Sequence, residues 1–263
     1  MYNIQYIMKK IIFLFSGNAR TFPFNNNQMM RKKQLLESYN KYIFTDKFKN
    51  LYEYRVYITT DNIHLEDTIN YFSSNNIGNI HLLDTEFYLK QIDNKIPNVA
   101  YYLDKYNKHN FKTYCKYYNS VYQHHKILDC YNLITSDVDL KSYDYIVRMR
   151  MDTEICMDIL DVLALFEKNP ELEIVLHWDV FAVGKCPIMN KYCSGLNNAY
   201  GTYDYKLVPN NFMNLNEPLL SDSKRWVYAP EIQLFQLLIE YCEKNNLKLE
   251  TVINVVNFCV IVR

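Results

Sequence analysis

The segment Tyr143-Asp144-Tyr145-Ile146-Val147-Arg148-Met149-Arg150-Met151-Asp152 opens as a buried-strand pattern and ends in charge. Side chains alternate between the faces of a strand, so Arg148, Arg150 and Asp152 share one face. Two guanidinium cations and a carboxylate together are costly to bury unless each meets a partner. An anionic ligand carrying a divalent metal would use all three. A diphosphate suits the guanidinium forks of Arg148 and Arg150. Mg²⁺ or Mn²⁺ bridging that diphosphate suits an oxygen of Asp152. The same residues also fit a salt-bridged strand end in which Asp152 simply pairs Arg150, and spacing alone does not separate the two readings.

Other candidates follow further strand patterns. Ser16-Gly17-Asn18-Ala19-Arg20-Thr21 comes directly after the apolar run Ile11 to Phe15. Gly17 allows close backbone approach and Arg20 can meet a phosphate, although a plain turn fits equally well. The segment is neither a dinucleotide fingerprint nor a P-loop, since the spaced glycines and the lysine are missing. Thr59-Thr60-Asp61 ends a second strand pattern. Thr60 and Asp61 suit a ribose or base, or the N-cap of a helix near His64. Asp179 sits among apolar residues in His177-Trp178-Asp179-Val180-Phe181-Ala182-Val183-Gly184, a setting that raises a carboxylate pKa and suits acid/base work. Backbone amides nearby would satisfy it equally. Glu231, in Ala229-Pro230-Glu231, falls in the first turn of a helix, where the dipole alone explains a carboxylate. The adjacent His124-His125 pair points in different directions on a helix and makes a poor metal clip.

The elements that would position these residues alternate between strand and helix. Strands are expected at Ile11 to Phe15, Tyr54 to Thr59, Asn79 to Leu83, Tyr145 to Arg150 and Ile174 to Val183, the last split around Trp178-Asp179. Helices are expected at Gln28 to Tyr42, His64 to Phe72, Phe111 to Ile134, Cys156 to Glu167 and Pro230 to Asn245. Leu247 to Val252 and Val255 to Val262 read as closing strands. This alternation implies an α/β fold with a mostly parallel central sheet. No Pro/Gly-rich linker divides the chain, so residues 8–263 read as a single domain. Met8-Lys9-Lys10 looks like a natural start, which makes residues 1–7 a short extension. The stretch from Asn197 to Tyr228 has weak periodicity and reads as a long loop, either a functional lid or disordered.

Composition excludes several classes. The 263 residues carry 29 Lys+Arg and 29 Asp+Glu, without the basic excess usual in a nucleic-acid binder. The 7 cysteines form no CxxC, which argues against a zinc ribbon or a disulfide scaffold and for reduced thiols in a cytoplasmic protein. No apolar run approaches the ~20 residues of a membrane span.

Four landmarks in order resemble a glycosyltransferase-like family of bacterial polysaccharide loci and large DNA viruses. They are the SGxxR-type turn at Ser16 to Arg20, the "YD-apolar-apolar-R-x-R-x-D" strand at Tyr143 to Asp152, the "D-x-F-A-x-G" element at Asp179 to Gly184, and the "PE" helix at Pro230-Glu231. The resemblance implies a GT-A-like (Rossmann-like) nucleotide-diphosphosugar transferase. Its donor would be a nucleotide sugar and its acceptor a glycan or other hydroxyl. Ser16, Gly17, Arg20, Thr60, Asp61, Arg148 and Arg150 would hold the donor's nucleotide and diphosphate. Asp152 would ligate Mn²⁺ or Mg²⁺, with Glu154 assisting. Asp179 would be the first choice of catalytic base and Glu231 the second. The family's usual DxD is RxRxD here, so the arginines would replace part of the metal's charge. An inactive nucleotide- or glycan-binding module and a nucleotidyltransferase remain the alternatives.

Overall fold

The apolar run that opens the chain is a strand buried on both faces. The structure, a computed structural model, describes residues 8–17, 26–61, 77–83, 117–177, 180–199, 230–247, 252–254 and 259–261. β1 (Lys9–Ser16) is fully buried from Ile11 to Ser16. A strand covered on both faces has no reason to alternate apolar with polar, which is why it reads as a continuous apolar run.

Around β1 the remaining elements follow in order. They are α1 (Asn26–Tyr42), α2 (Asp46–Leu51), β2 (Tyr52–Asp61), β3 (Ile77–Leu83), α3 (Tyr117–Asp137), a 3₁₀ turn at Leu140–Ser142, β4 (Tyr145–Arg150) and β5 (Thr153–Ile155). Then come α4 (Ile159–Lys168), β6 (Ile174–His177), β7 (Phe181–Lys185), α5 (Cys186–Ala199), α6 (Pro230–Lys244), β8 (Val252–Asn254) and β9 (Cys259–Ile261). Among the described residues the main sheet has 7 strands in the order β3-β2-β1-β4-β7-β6-β8. All neighbouring pairs are parallel except those made by β7, which runs antiparallel to both β4 and β6. β5 and β9 pair antiparallel in a small second sheet. The expected α/β fold with a mostly parallel sheet is therefore present.

Helices cover both faces. On one face Phe13, Phe15, Tyr54 and Val147 pack against Leu35 and Tyr39 of α1, Phe48 of α2 and Phe166 of α4. Phe13 is the hub of an aromatic cluster, with ring centroids of Phe44, Phe48 and Tyr54 at 5.2, 5.7 and 6.1 Å. On the other face Ile12, Leu14 and Ile146 pack against Ile127 and Ile134 of α3, Met189 of α5 and Leu238 of α6. Two helices begin on side-chain caps. Thr45 accepts from the Phe48 amide at 3.1 Å, and Asp158 accepts from the Leu160 amide at 2.9 Å.

Element boundaries depart from expectation in three places. Thr153–Ile155 is a strand, so the helix expected from Cys156 starts at Ile159, behind the Asp158 cap. The first closing strand, Val252–Asn254, runs past its expected end at Val252, and Cys259–Ile261 of the second is strand. α2 and α5 had no counterpart among the expected helices. The helix expected at His64 to Phe72, residues 1–7 and most of the long loop lie outside the described residues.

Candidate functional site

Two hydrogen bonds at the start of β4 fix its register against β1. The Asp144 carboxylate accepts from the Lys10 amide at 2.7 Å, and the Asp144 amide donates to the Lys10 carbonyl at 2.9 Å. From that anchor the parallel ladder sets Leu14 opposite Arg148 and Ser16 opposite Arg150. On the far side of β1, Ser16 lies opposite Thr59 of β2. Strand alternation then puts Thr59, Ser16, Arg148 and Arg150 on the face covered by α3 and α5. The chain steps outward from β1 through β2 to β3, then returns to lay β4 on the opposite side of β1. That reversal is a topological switch point. Open α/β sheets bind ligands outside the carboxyl ends of the strands at such a point.

Gly17 closes the carboxyl end of β1. Its amide donates to the Thr59 carbonyl at 3.2 Å, and its φ is +131°, a conformation glycine adopts without cost. A side chain there would find open space, the nearest heavy atom being the Met151 amide nitrogen at 3.9 Å. Ser16 is fully buried, and its Oγ makes no hydrogen bond among the described residues.

Arg148 and Arg150 differ in depth. Arg148 is fully buried. Its register partner on β7 is Ala182, also fully buried, so the small residue lies directly across from the large one. Cys130 of α3 and Cys193 of α5 lie close enough to feel the Arg148 charge. The guanidinium pulls their pKa values down, but burial is the larger effect and pushes Cys130 up to about 12 and Cys193 up as well. Both remain thiols at neutral pH and leave the guanidinium charge in place. Cys130 also donates to the Phe15 carbonyl at 3.8 Å.

Arg150 stands at the strand end, its side chain 22% exposed. It makes a bidentate pair with Asp152, Nε to Oδ1 at 2.8 Å and Nη2 to Oδ2 at 2.7 Å. The salt-bridged strand end weighed from the sequence is thus present. α1 holds the turn that carries Asp152. Ser38 Oγ accepts from the Ile155 amide at 3.0 Å and donates to the Leu35 carbonyl at 2.7 Å, and Tyr39 Oη lies 3.4 Å from the Arg150 carbonyl. Arg148, Arg150 and Asp152 together carry one net positive charge, which suits an anion.

The structure therefore brings Ser16, Gly17, Arg148, Arg150 and Asp152 to one edge of the sheet. Thr60 and Asp61 continue β2 past Thr59 at the same edge; their backbone is described and their side chains are not. Glu231 is the second residue of α6, again with only its backbone described. Arg20 and Asp179 lie outside the described residues. The residues flanking Asp179 are described. His177 ends β6 and Val180 precedes β7, the Val180 amide donates to the His177 carbonyl at 3.1 Å, and the Val180 carbonyl accepts from the Arg150 amide at 3.1 Å. Glu154 lies on β5, paired with Val260.

Sequence reading passed over Cys130, which meets Thr59 beneath the carboxyl edge, and His177. Neither had a signal, because their placement follows from packing. A groove of about 550 Å³ lies at the other end of the strands, between Lys9, Tyr52, Leu160 and Glu167. Lys9 and Tyr52 begin β1 and β2, so this groove is at the amino edge, remote from the arginines.

No protein-family model matches this sequence, and no curated protein matches it. Solved structures with a similar chain course include a protein assigned as a nucleotide-diphospho-sugar transferase from Desulfovibrio desulfuricans G20. It is 9% identical over 95% of this chain and 80% of its own, with a TM-score of 0.43. Mouse xyloside xylosyltransferase 1 in its apo form is 9% identical over 95% of this chain and 85% of its own, at 0.45. The 4-diphosphocytidyl-2C-methyl-D-erythritol synthase of Anaerococcus prevotii DSM 20548 is 8% identical over 97% of this chain and 92% of its own, at 0.42.

Proposed function

We propose that this chain is a GT-A-like glycosyltransferase that moves a sugar from a nucleotide-diphosphate donor to a hydroxyl of a glycan or other acceptor. The observation that carries the reading is the β1–β4 switch point. There a positive-φ glycine and a buried serine hydroxyl from one strand meet two arginines from the other. Gly17 lets a ligand approach the backbone, Ser16 Oγ offers a hydrogen bond, and the guanidinium groups supply fixed positive charge.

The reaction needs that charge. The bond between the sugar's anomeric carbon and the diphosphate oxygen breaks, and its electron pair leaves on the diphosphate. The acceptor oxygen bonds to the anomeric carbon and gives up its proton. Cations held in place before the reaction stabilise the negative charge as it develops. In an inverting reaction the proton goes to a base. Asp179 is the first candidate, because it directly precedes Val180, whose carbonyl accepts from the Arg150 amide at 3.1 Å. Glu231 is the second.

Binding of nucleotides and nucleotide sugars to the full chain tests this, read by thermal shift and then by sugar release. A ligand specific for the folded state stabilises it by about 2.7 kcal/mol at a hundredfold excess over its dissociation constant. UDP or GDP and their sugar conjugates should raise the melting temperature, and sugar should pass to an added acceptor or to water. Binding without sugar release would leave a binding module. Stabilisation by nucleoside triphosphates but not by diphosphates would favour nucleotidyl transfer.

A further inference from the structure

A divalent cation was expected on Asp152, and the geometry at the end of β4 does not fit one. Both Asp152 oxygens are engaged by Arg150, at 2.8 and 2.7 Å. A carboxylate keeps further lone pairs in that state, but a dication placed on them would crowd a guanidinium of the same sign. Mg²⁺ and Mn²⁺ also call for several oxygen ligands. Among the described residues no three His, Cys, Asp or Glu side chains gather where a metal could be held.

From this we infer that Arg150 occupies the position on Asp152 that a metal would otherwise take, so that diphosphate binding at the β1–β4 edge is independent of divalent metal. The inference rests on the donor-binding reading above. Three observations support it together. Arg150 lies directly opposite Ser16, at the level where β1 gives way to Gly17. It is partly exposed there, while Arg148 adds a second, wholly buried cation one pair further back on the same face. The turn that presents Asp152 is held by α1 through Ser38, so the carboxylate can fix the guanidinium in one orientation. Asp152 is thus a positioning residue. Two parallel N–H···O bonds hold the guanidinium plane, and that plane matches the geometry of a phosphate oxyanion.

Isothermal titration of the full chain with UDP and with GDP, in EDTA and in Mn²⁺, tests the inference. Affinities in the two conditions should agree within about threefold, and a tightening of about tenfold or more by Mn²⁺ would overturn it. Mn²⁺ alone, followed by its electron paramagnetic resonance signal, should stay free in the presence of the chain. Stoichiometric Mn²⁺ binding that disappears in Asp152→Asn would also overturn it. Asp152→Asn should weaken UDP binding by the same factor in EDTA and in Mn²⁺, whereas loss confined to Mn²⁺ would make Asp152 a ligand. Arg150→Lys, which keeps the charge and removes the fork, should bind UDP more weakly than the parent in both conditions, and unchanged affinity would count against the guanidinium. If neither UDP nor GDP binds in either condition, the diphosphate reading itself falls, and this inference with it.

Discussion

Replacing Gly17 with alanine isolates one cost at the heart of the candidate site. The φ of +131° is a region that side-chain-bearing L-residues rarely enter, and holding one there costs on the order of 1–3 kcal/mol. Clash adds little, because a Cβ at this position meets nothing closer than the Met151 amide nitrogen at 3.9 Å, an ordinary van der Waals distance. The usual gain of ~0.4–1 kcal/mol from stiffening the unfolded chain is offset, since the native conformation is incompatible with the new residue. The expected net is a loss of about 1–3 kcal/mol, set by backbone conformation alone. With a urea m-value of ~3 kcal/mol/M, the unfolding midpoint should fall by roughly 0.3–1 M. Gly17→Ser should lose a similar amount, because the open space beside Gly17 tolerates a slightly larger group. A midpoint unchanged within measurement error for both variants would show that the end of β1 relaxes to negative φ at no cost. The argument that this backbone is held for a ligand would then fail.

Two further outcomes follow from the packing. Gly184→Ala should destabilise by about 1–3 kcal/mol for the opposite reason, overpacking, since its Cβ would lie 3.0 Å from both the Glu173 carbonyl oxygen and Met189 Cγ. An unchanged melting temperature would refute that. Stability should also fall in alkali. Burial, and then the hydrogen bond to Asp137, pushes the Tyr57 hydroxyl up to about 12, and burial pushes Cys130 from 9.0 to about 12. In the unfolded chain both lose their protons first. Their contribution is therefore intact below about pH 9 and is lost as pH rises toward 12, at up to about 1.4 kcal/mol per pH unit for each group. Urea midpoints at pH 8 and pH 11 measure it, and a midpoint that does not fall would refute the sign.

Much of the architecture was legible because the relevant signals are local. A doubly covered strand must be apolar throughout, so Ile11 to Phe15 identified β1. Helical spacing on a single face identified α4, where Ile159, Val162, Leu163 and Phe166 are all buried. α5 was hidden by its composition. It opens on Cys186-Pro187 and carries Gly195 with several polar residues, so it reads as loop, and its burial of Ile188, Met189 and Tyr192 is visible only against β7 and α3. β5 was hidden for a different reason. Three residues are too few for alternation to register, and the strand exists because β9, about a hundred residues later, pairs with it.

The candidate site was legible in kind but not in depth. Alternation placed Arg148 and Arg150 on one face, and the ladder agrees. It could not say that Arg148 would be wholly buried, because that depends on α3 and α5 closing over the strand and on Ala182 leaving room across from it. Nor could it choose between a metal and Arg150 as the partner of Asp152. That choice turns on where the chain bends after β4, and the bend is held by Ser38 from α1, more than a hundred residues earlier. The reversal of β7 has the largest consequence. If β7 ran parallel to β4, the chain between His177 and Phe181 would have to cross the length of the sheet. Because β7 is antiparallel to both of its neighbours, β6 turns back at the carboxyl edge and Val180 bonds directly to Arg150. The arginine strand is thus met by β7, which departs from the parallel rule in both of its pairings. Asp179 directly precedes Val180 in the sequence, so Asp179→Asn is the variant to make. Sugar transfer should drop by about 10²–10⁴ with UDP affinity nearly unchanged if Asp179 is the base. Transfer at the parental rate would move the role to Glu231 or to a mechanism without a base.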